Sequence, residues 1–311
     1  MRVVVTGATG FVGKELTKSL IDRGHQVVVL TRNVASAVLV LGNIPKFQHW
    51  DVQVPAPMNE IVAKFGAIDA VINLMGQNIA EKRWSEEQKE KIMHSRTIST
   101  ENLLKGIRGY NESGKEKLKV FISTSAVGIY GTRGSEELGE TTEINPQDFL
   151  AQVCQQWEEV ARSAKDLVER VAILRVGVVL GKGAGVMSKM LPLFMRNLGG
   201  KLGSGQQYMS WIHIQDLVKI YCMALEDDRF KDEINATAPR PVTNQVFVNT
   251  LAKVLHKWAF FPAPSFMLNL FLGEMSTMLV NGQRVMPKKC LSFHFEYEFP
   301  LLEKALKDIV S

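Results

Sequence analysis

The sequence predicts an α/β protein, a doubly wound parallel sheet with a smaller C-terminal lobe. Three observations predict it. The chain opens on a strand, a glycine-spaced turn and a helix, MRVVVTGATGFVG running into Lys14–Arg23. Short apolar runs rich in Val and Ile then alternate with helical segments of about 10–20 residues, the pattern of βαβ units. Past about residue 180 the alternation gives way to glycine-rich loops and regular prolines. The opening unit is of the Rossmann type, in which a ligand sits at the carboxyl ends of the strands.

Taken in order, Arg2–Val5 reads as a buried strand of mostly β-branched residues. Gly7, Gly10 and Gly13 follow at the spacing G-x-x-G-x-x-G, and the helix Lys14–Arg23 carries Leu16, Leu20 and Ile21 on one face. Further strands are expected at Val27–Leu30, Phe47–Trp50, Ala70–Leu74, Val120–Ser123 and Val171–Arg175. Helices are expected at Asn59–Lys64, Glu86–Leu104 and Phe149–Ala164. In the later part, Gly181–Gly185 and Gly199–Gly205 flank an apolar helix, Met187–Leu198. Leu217–Leu225 is a helix for which Asp216 is the expected N-cap. Phe247–Leu255 and Leu301–Ile309 read as amphipathic helices. The expected division is a dinucleotide-binding domain over residues 1–180 and a smaller substrate-side lobe over 181–311, part of which returns to the sheet.

Composition narrows the class. The 311 residues are 46% hydrophobic and 22% charged, ordinary for a soluble globular chain. The net charge of +5 is spread out, and its densest basic run is Lys115–Lys119. No basic stripe interleaves with aromatics, which disfavours nucleic acid. Cys154, Cys222 and Cys290 are odd in number and scattered, as expected for reduced thiols in a cytoplasm. The six histidines show no metal-ligand spacing, so no metal is expected. With a strand at the first residues, no leader peptide is expected. Phe266–Val280 is broken by Asn269, Gly273 and Glu274, too short and polar for a membrane span. The helices Glu86–Leu104 and Phe149–Ala164 could form a homodimer seam or stay exposed to solvent.

The opening unit points to a pyrophosphate. Gly7 permits the tight turn, Gly10 lets the backbone approach the phosphates, and Gly13 lets the helix pack on the strand. Thr9, Phe11 and Val12 complete the loop and the helix start, whose free N–H groups favour an anion. At the end of the second strand an acid would accept from the ribose 2′-hydroxyl of NAD, and an arginine would pair with the 2′-phosphate of NADP. Arg32 stands there, with no acid between Val27 and Leu41, so NADP(H) is the expected cofactor. Residues His49–Val52 are expected to flank the adenine, and the turn Leu74-Met75-Gly76 to pass under the adenosine and pyrophosphate.

TGATGFVG, NLMG, STSAVGIYG and WIHIQDL together resemble the extended short-chain dehydrogenase/reductases, the group that includes sugar-nucleotide epimerases and dehydratases. Arg83-Trp84, IMHSRTIST at 92–100, DFLAQVCQQWE at 148–158, LRVGVVLG at 174–181, Leu191–Asp216, GEM at 273–275 and GQRVMPKK at 282–289 are similar to an atypical branch, epimerase-family proteins of the YfcH kind. The resemblance covers nearly the whole chain. It implies NADP(H) binding and an oxidoreductase or epimerase role on a small molecule.

In that superfamily a Tyr-x-x-x-Lys pair, one helical turn apart, supplies the proton. Here Leu150 and Cys154 stand where the pair belongs, and Arg96 stands where an active-site asparagine is usual. Ser125 is the expected hydroxyl on the cleft wall, with Ser123 and Thr124 as alternatives. Cys154, Tyr130 and Arg96 are the candidate replacements in the proton relay, each also readable as packing or a surface ion pair. His213 is expected to fix backbone, and Trp84, Tyr208 and Trp211 to line the substrate pocket or pack the lobe. Two functions follow: an NADP(H)-dependent enzyme with a nonstandard proton relay, or a catalytically silent NADPH-binding regulator.

Overall fold

The structure, a computed structural model, describes residues 1–144 and 146–311. β1 (Arg2–Thr6) leads through the glycine turn into α1 (Phe11–Asp22). Val3, Val4 and Val5 are fully buried, which requires helices on both faces of the sheet. β2 (Gln26–Thr31) is followed by α2 (Val34–Leu41), a helix the sequence does not announce because VASAVLVL is apolar without a period. Asn33 caps it by accepting the N–H of Ser36. β3 (Lys46–His49), α3 (Met58–Phe65) and β4 (Ala70–Asn73) complete the first half.

The single helix expected over Glu86–Leu104 is two: α4 (Glu86–His94) and α5 (Thr97–Glu112). The break falls at Ser95-Arg96, where the Ser95 hydroxyl donates back to the Ile92 carbonyl. β5 (Leu118–Ala126) runs past its expected end and into a 3₁₀ turn over Val127–Tyr130. β6 (Glu137–Leu138), α6 (Phe149–Arg162), β7 (Val168–Val176), β8 (Val178–Leu180) and α7 (Gly185–Met195) follow. Beyond them lie β9 (Tyr208–Met209), β10 (Trp211–His213), α8 (Ile214–Glu226), β11 (Asp232–Ala236), β12 (Val242–Thr243) and α9 (Asn244–Leu255). The last elements are α10 (Ser265–Leu272), α11 (Thr277–Val280), β13 (Arg284–Val285), α12 (Lys288–Ser292) and α13 (Leu302–Val310).

Seven strands form one parallel sheet in the order β11-β7-β5-β4-β1-β2-β3. The connections reverse direction between β1 and β4, which opens the ligand crevice at their carboxyl ends. On one face, Leu16 and Leu20 of α1 pack with Leu217, Ile220 and Tyr221 of α8. On the other, α3, α5 and α6 cover the sheet through Ile61, Leu103, Ile107 and Ala161. A third core joins Phe194 of α7, Phe247 and Leu251 of α9 and Leu306 of α13. Residues 214–236 therefore lie with the sheet, and Cys290 and Phe295 farther on join the same core, while α7, α9 and α13 build the third one.

Asp216 is not the cap of α8. His213 takes that place, its ring nitrogen Nδ1 accepting the Gln215 N–H at 3.3 Å. Asp216 sits inside the first turn and accepts the N–H groups of Glu298 and Phe299 at 2.7 and 2.9 Å, tying α8 to the chain before α13. Among the described residues no helix is long and apolar enough to cross a membrane.

Candidate active site

A cleft of about 650 Å³ lies at the carboxyl ends of β1, β2 and β4. Gly7, Thr9, Gly10, Arg32, Leu74 and Gly76 line it, as do Trp50 and Val52. Gly7 has φ +68°, and a Cβ there would stand 2.8 Å from the Leu74 carbonyl oxygen. A Cβ on Gly13 would stand 2.3 Å from the Gly7 oxygen, so only glycine lets α1 seat against the turn. The Gly10 N–H donates to Gly7 at 3.0 Å, and no side chain caps α1. Its first-turn N–H groups therefore remain available at the positive end of the helix dipole. Phe11 and Val12, expected at the cofactor, are not on the cleft wall. The Phe11 ring lies against Gly181 and Gly185, and Val12 packs on the core. Arg32 is exposed and makes no ion pair or hydrogen bond with any described residue.

A second pocket, about 310 Å³, begins where the turn after β4 ends: Gly76, Gln77 and Asn78 face the cleft, and Ile79 faces the pocket. Its walls come from the end of β5 and the turn after it (Ala126, Val127, Gly128), from α6 (Leu150, Cys154, Trp157) and from α11 (Thr277, Met278). Leu150 and Cys154 lie side by side, their Cβ and Sγ 3.8 and 3.9 Å from where a Gly128 Cβ would be. Burial, with the Glu158 carboxylate adding to it, pushes the Cys154 thiol up to about 12. The thiol stays protonated through the neutral range.

Arg96 also lines this pocket and does not line the cleft. The α4–α5 break places it there. Its Nη1 donates to the Ile92 carbonyl at 2.9 Å and to Ser95 Oγ at 3.3 Å, and its Nη2 donates to the Gln77 carbonyl at 3.0 Å. The guanidinium lies 5.3 Å from the centre of the Trp157 ring, and a Gly76 Cβ would stand 3.1 Å from it. Burial pulls its pKa below the ordinary arginine value, yet a guanidinium remains charged at neutral pH.

The expected wall hydroxyls and Tyr130 turn elsewhere. Ser125 is buried and donates to Glu158 Oε1 at 2.7 Å, and Ala126 stands on the pocket wall instead. Successive strand residues face opposite sides, and β5 continues to Ala126, so Ser125 points at α6 and Thr124 at Tyr221 of α8. Ser123 is buried and donates to a backbone carbonyl. Tyr130 is also buried; its hydroxyl donates to Asn235 Oδ1 at 2.8 Å and accepts from Arg175 Nη1 at 2.9 Å. Burial raises its pKa.

The lobe residues pack. Trp84 meets Phe149 edge-on at 5.2 Å, and Trp211 donates to the Arg240 carbonyl. Tyr208 pairs with Thr243 in a small sheet outside the pocket. His213 stacks on Phe299 at 3.8 Å with Asp308 Oδ2 3.3 Å from Nε2, and burial lowers its pKa.

Sequence reasoning passed over Glu158 and Arg175. Arg175 Nε and Nη2 meet the two Glu158 oxygens at 2.9 Å each, and Arg162 adds a bond at 2.6 Å. This buried pair holds α6, and with it Leu150, Cys154 and Trp157, against β5 and β7. The signal was an arginine inside the apolar strand AILRV, which demands a buried counter-charge.

With that geometry in place, the chain can be set beside known proteins. The model of the NAD dependent epimerase/dehydratase family matches residues 3–236, and that of a domain of unknown function, DUF1731, matches 263–309. The chain is 38% identical over its whole length to the epimerase family protein SDR39U1 homolog, chloroplastic, of Arabidopsis thaliana, covering 87% of that protein. It is 35% identical to epimerase family protein SDR39U1 of Homo sapiens, each covering the other fully. The crystal structure of human SDR39U1 (isoform 2) with NADPH aligns at a TM-score of 0.85 and 34% identity over 99% of both chains. A nucleoside-diphosphate sugar epimerase from Corynebacterium glutamicum aligns at 0.77 and 30% identity, over all of this chain and 58% of that one.

Proposed function

The chain belongs to the NAD dependent epimerase/dehydratase family, and on that footing we propose that it is an NADP(H)-dependent oxidoreductase that reduces a small carbonyl compound. The observation that carries the reading is the cleft that joins the Gly7–Gly13 cradle to a free Arg32 guanidinium. The residues present fit the cofactor. A side chain on Gly7 or Gly13 would collide with neighbouring backbone, so the cradle is held open, and the uncapped start of α1 suits a pyrophosphate. Arg32, unpaired and on the cleft wall, suits the 2′-phosphate that separates NADP from NAD. When bound, NADPH supplies the two-electron reducing equivalent.

The pocket residues set the direction. An apolar wall of Leu150, Val153, Trp157 and Met278 keeps water from the carbonyl. The Cys154 thiol, held up to about 12, is a neutral acid that can give its proton to a developing alkoxide. Water then returns a proton to the sulfur, and the Arg96 charge nearby favours the transient thiolate. Protonated at neutral pH, Cys154 begins the cycle as a donor, the role that a carbonyl reduction asks of it.

The test is steady-state NADPH consumption against small aldehydes, ketones, keto acids and nucleotide sugars. Turnover with a small carbonyl, slowed at least tenfold by Cys154→Ala, is expected. NADPH binding without consumption on any of them overturns the enzyme reading. It would favour an NADPH-responsive regulator, a reading supported by the absence of Tyr-x-x-x-Lys and by Ser125 and Tyr130 turning away from the pocket.

A further inference from the structure

We propose that the second pocket takes a small substrate bearing a carboxylate or phosphate group, which Arg96 binds. The inference rests on the reading of this pocket as the substrate site.

The charge balance of the pocket carries it. Arg96 and Asp148 are the charged residues on its described wall. Asp148 is engaged in capping α6, its Oδ1 accepting the Ala151 N–H at 2.9 Å. No described carboxylate lies within ion-pair distance of the half-buried Arg96, whereas among the described residues the buried Arg175 has Glu158 and the mostly buried Arg170 has Asp228. A half-buried guanidinium with no carboxylate partner, facing an apolar pocket, is suited to an anionic ligand.

The donor count gives the shape of the partner. A guanidinium has five N–H groups. Three bonds to neutral oxygens engage Nη1 twice and Nη2 once. Nε and the second N–H of Nη2 are left, and these two nitrogens share one edge of the planar group, suited to a two-oxygen anion. The three bonds also fix the guanidinium, so its edge is presented before ligand arrives. Gly76 is what allows this position, since a Cβ there would press on the group at 3.1 Å. Gly76, Gln77 and Ser95 beside it line the cleft, whereas the Arg96 guanidinium lines the pocket.

The lining narrows the class. The pocket holds about 310 Å³ against about 650 Å³ for the cleft. Thr132, Asp148 and Asn281 are shared with an adjoining space of about 750 Å³, so the pocket holds the anionic end of a ligand and does not cap its length. A carbon skeleton with one anionic group matches the apolar wall and the single cation.

Titration of the full-length protein with benzoate, its neutral isostere benzamide and inorganic phosphate, with and without NADPH, tests the proposal by calorimetry. Wild type should bind benzoate at least about tenfold more tightly than benzamide, the worth of a charge-assisted bond. Arg96→Met should erase that preference, Arg96→Lys should keep part of it, and both should bind NADPH within threefold of wild type. Equal affinity for acid and amide in wild type needs no variant to overturn the proposal. A preference surviving Arg96→Met, or NADPH affinity falling in step with benzoate affinity, also overturns it. Acid–amide discrimination by a protein that does not bind NADPH would refute the oxidoreductase reading and leave the anion site standing.

Discussion

Cys154 shows how burial sets what one side chain can do. At an ordinary thiol value near 9 it would ionise within reach of physiological pH; held up to about 12, it does not. If it is the proton donor, kcat should stay level from about pH 6 to 9, because the donor remains loaded across that range. A fall with an apparent pKa near 8.5 would assign proton transfer to another group or an unburied thiol. The same shift predicts a stability effect. The folded pKa lies above the unfolded one, so the folded state holds its proton longer. That contribution is complete below about pH 9 and is lost as pH rises toward 12, with Cys290, also held at about 12, acting in the same sense. Urea midpoints should therefore fall above pH 9, less steeply in Cys154→Ala. At this scale the glycines and Arg32 were legible because spacing and strand position define them. The direction of Ser125 was not, because β5 is buried on both faces and carries no polar alternation to mark its end.

Among the elements, α6 depends on one buried ion pair. Arg175→Met leaves the Glu158 carboxylate buried with only the partly exposed Arg162, and should cost about 3–5 kcal/mol in urea unfolding. Replacing Glu158 by Gln as well should restore part of that loss; no restoration would mean that the cost is packing and not charge. The glycine turn makes a second prediction. Gly13→Ala sets a methyl group 2.3 Å from the Gly7 oxygen, so α1 must move off β1. The expected result is about 1–3 kcal/mol of lost stability, as for other overpacked sites, together with lost NADPH binding. Helix positions were readable from apolar periodicity, but the break at Ser95-Arg96 was not. EKIMHSRTISTENLL keeps helical spacing across it, and at the break the Ser95 and Arg96 side chains both donate back to the Ile92 carbonyl. That break is what brings Arg96 to the pocket.

For the whole molecule, strand and helix alternation made the parallel sheet and its crevice foreseeable. The return of α8 and β11 to that sheet was less so, since Asp232–Ala236 is short, mostly polar, and flanked by lobe sequence. Their return couples the lobe to the sheet through Asp216, which accepts the N–H groups of Glu298 and Phe299. Cofactor binding should then stabilise the folded chain by about 2.7 kcal/mol at a hundred times the dissociation constant. The most direct measurement is a paired titration of wild type and Arg32→Glu with NADPH and NADH, followed by intrinsic fluorescence. Wild type should prefer NADPH, and Arg32→Glu should weaken NADPH at least tenfold while NADH affinity changes little. Equal loss for both cofactors, or no preference in wild type, would contradict recognition of the 2′-phosphate at the end of β2.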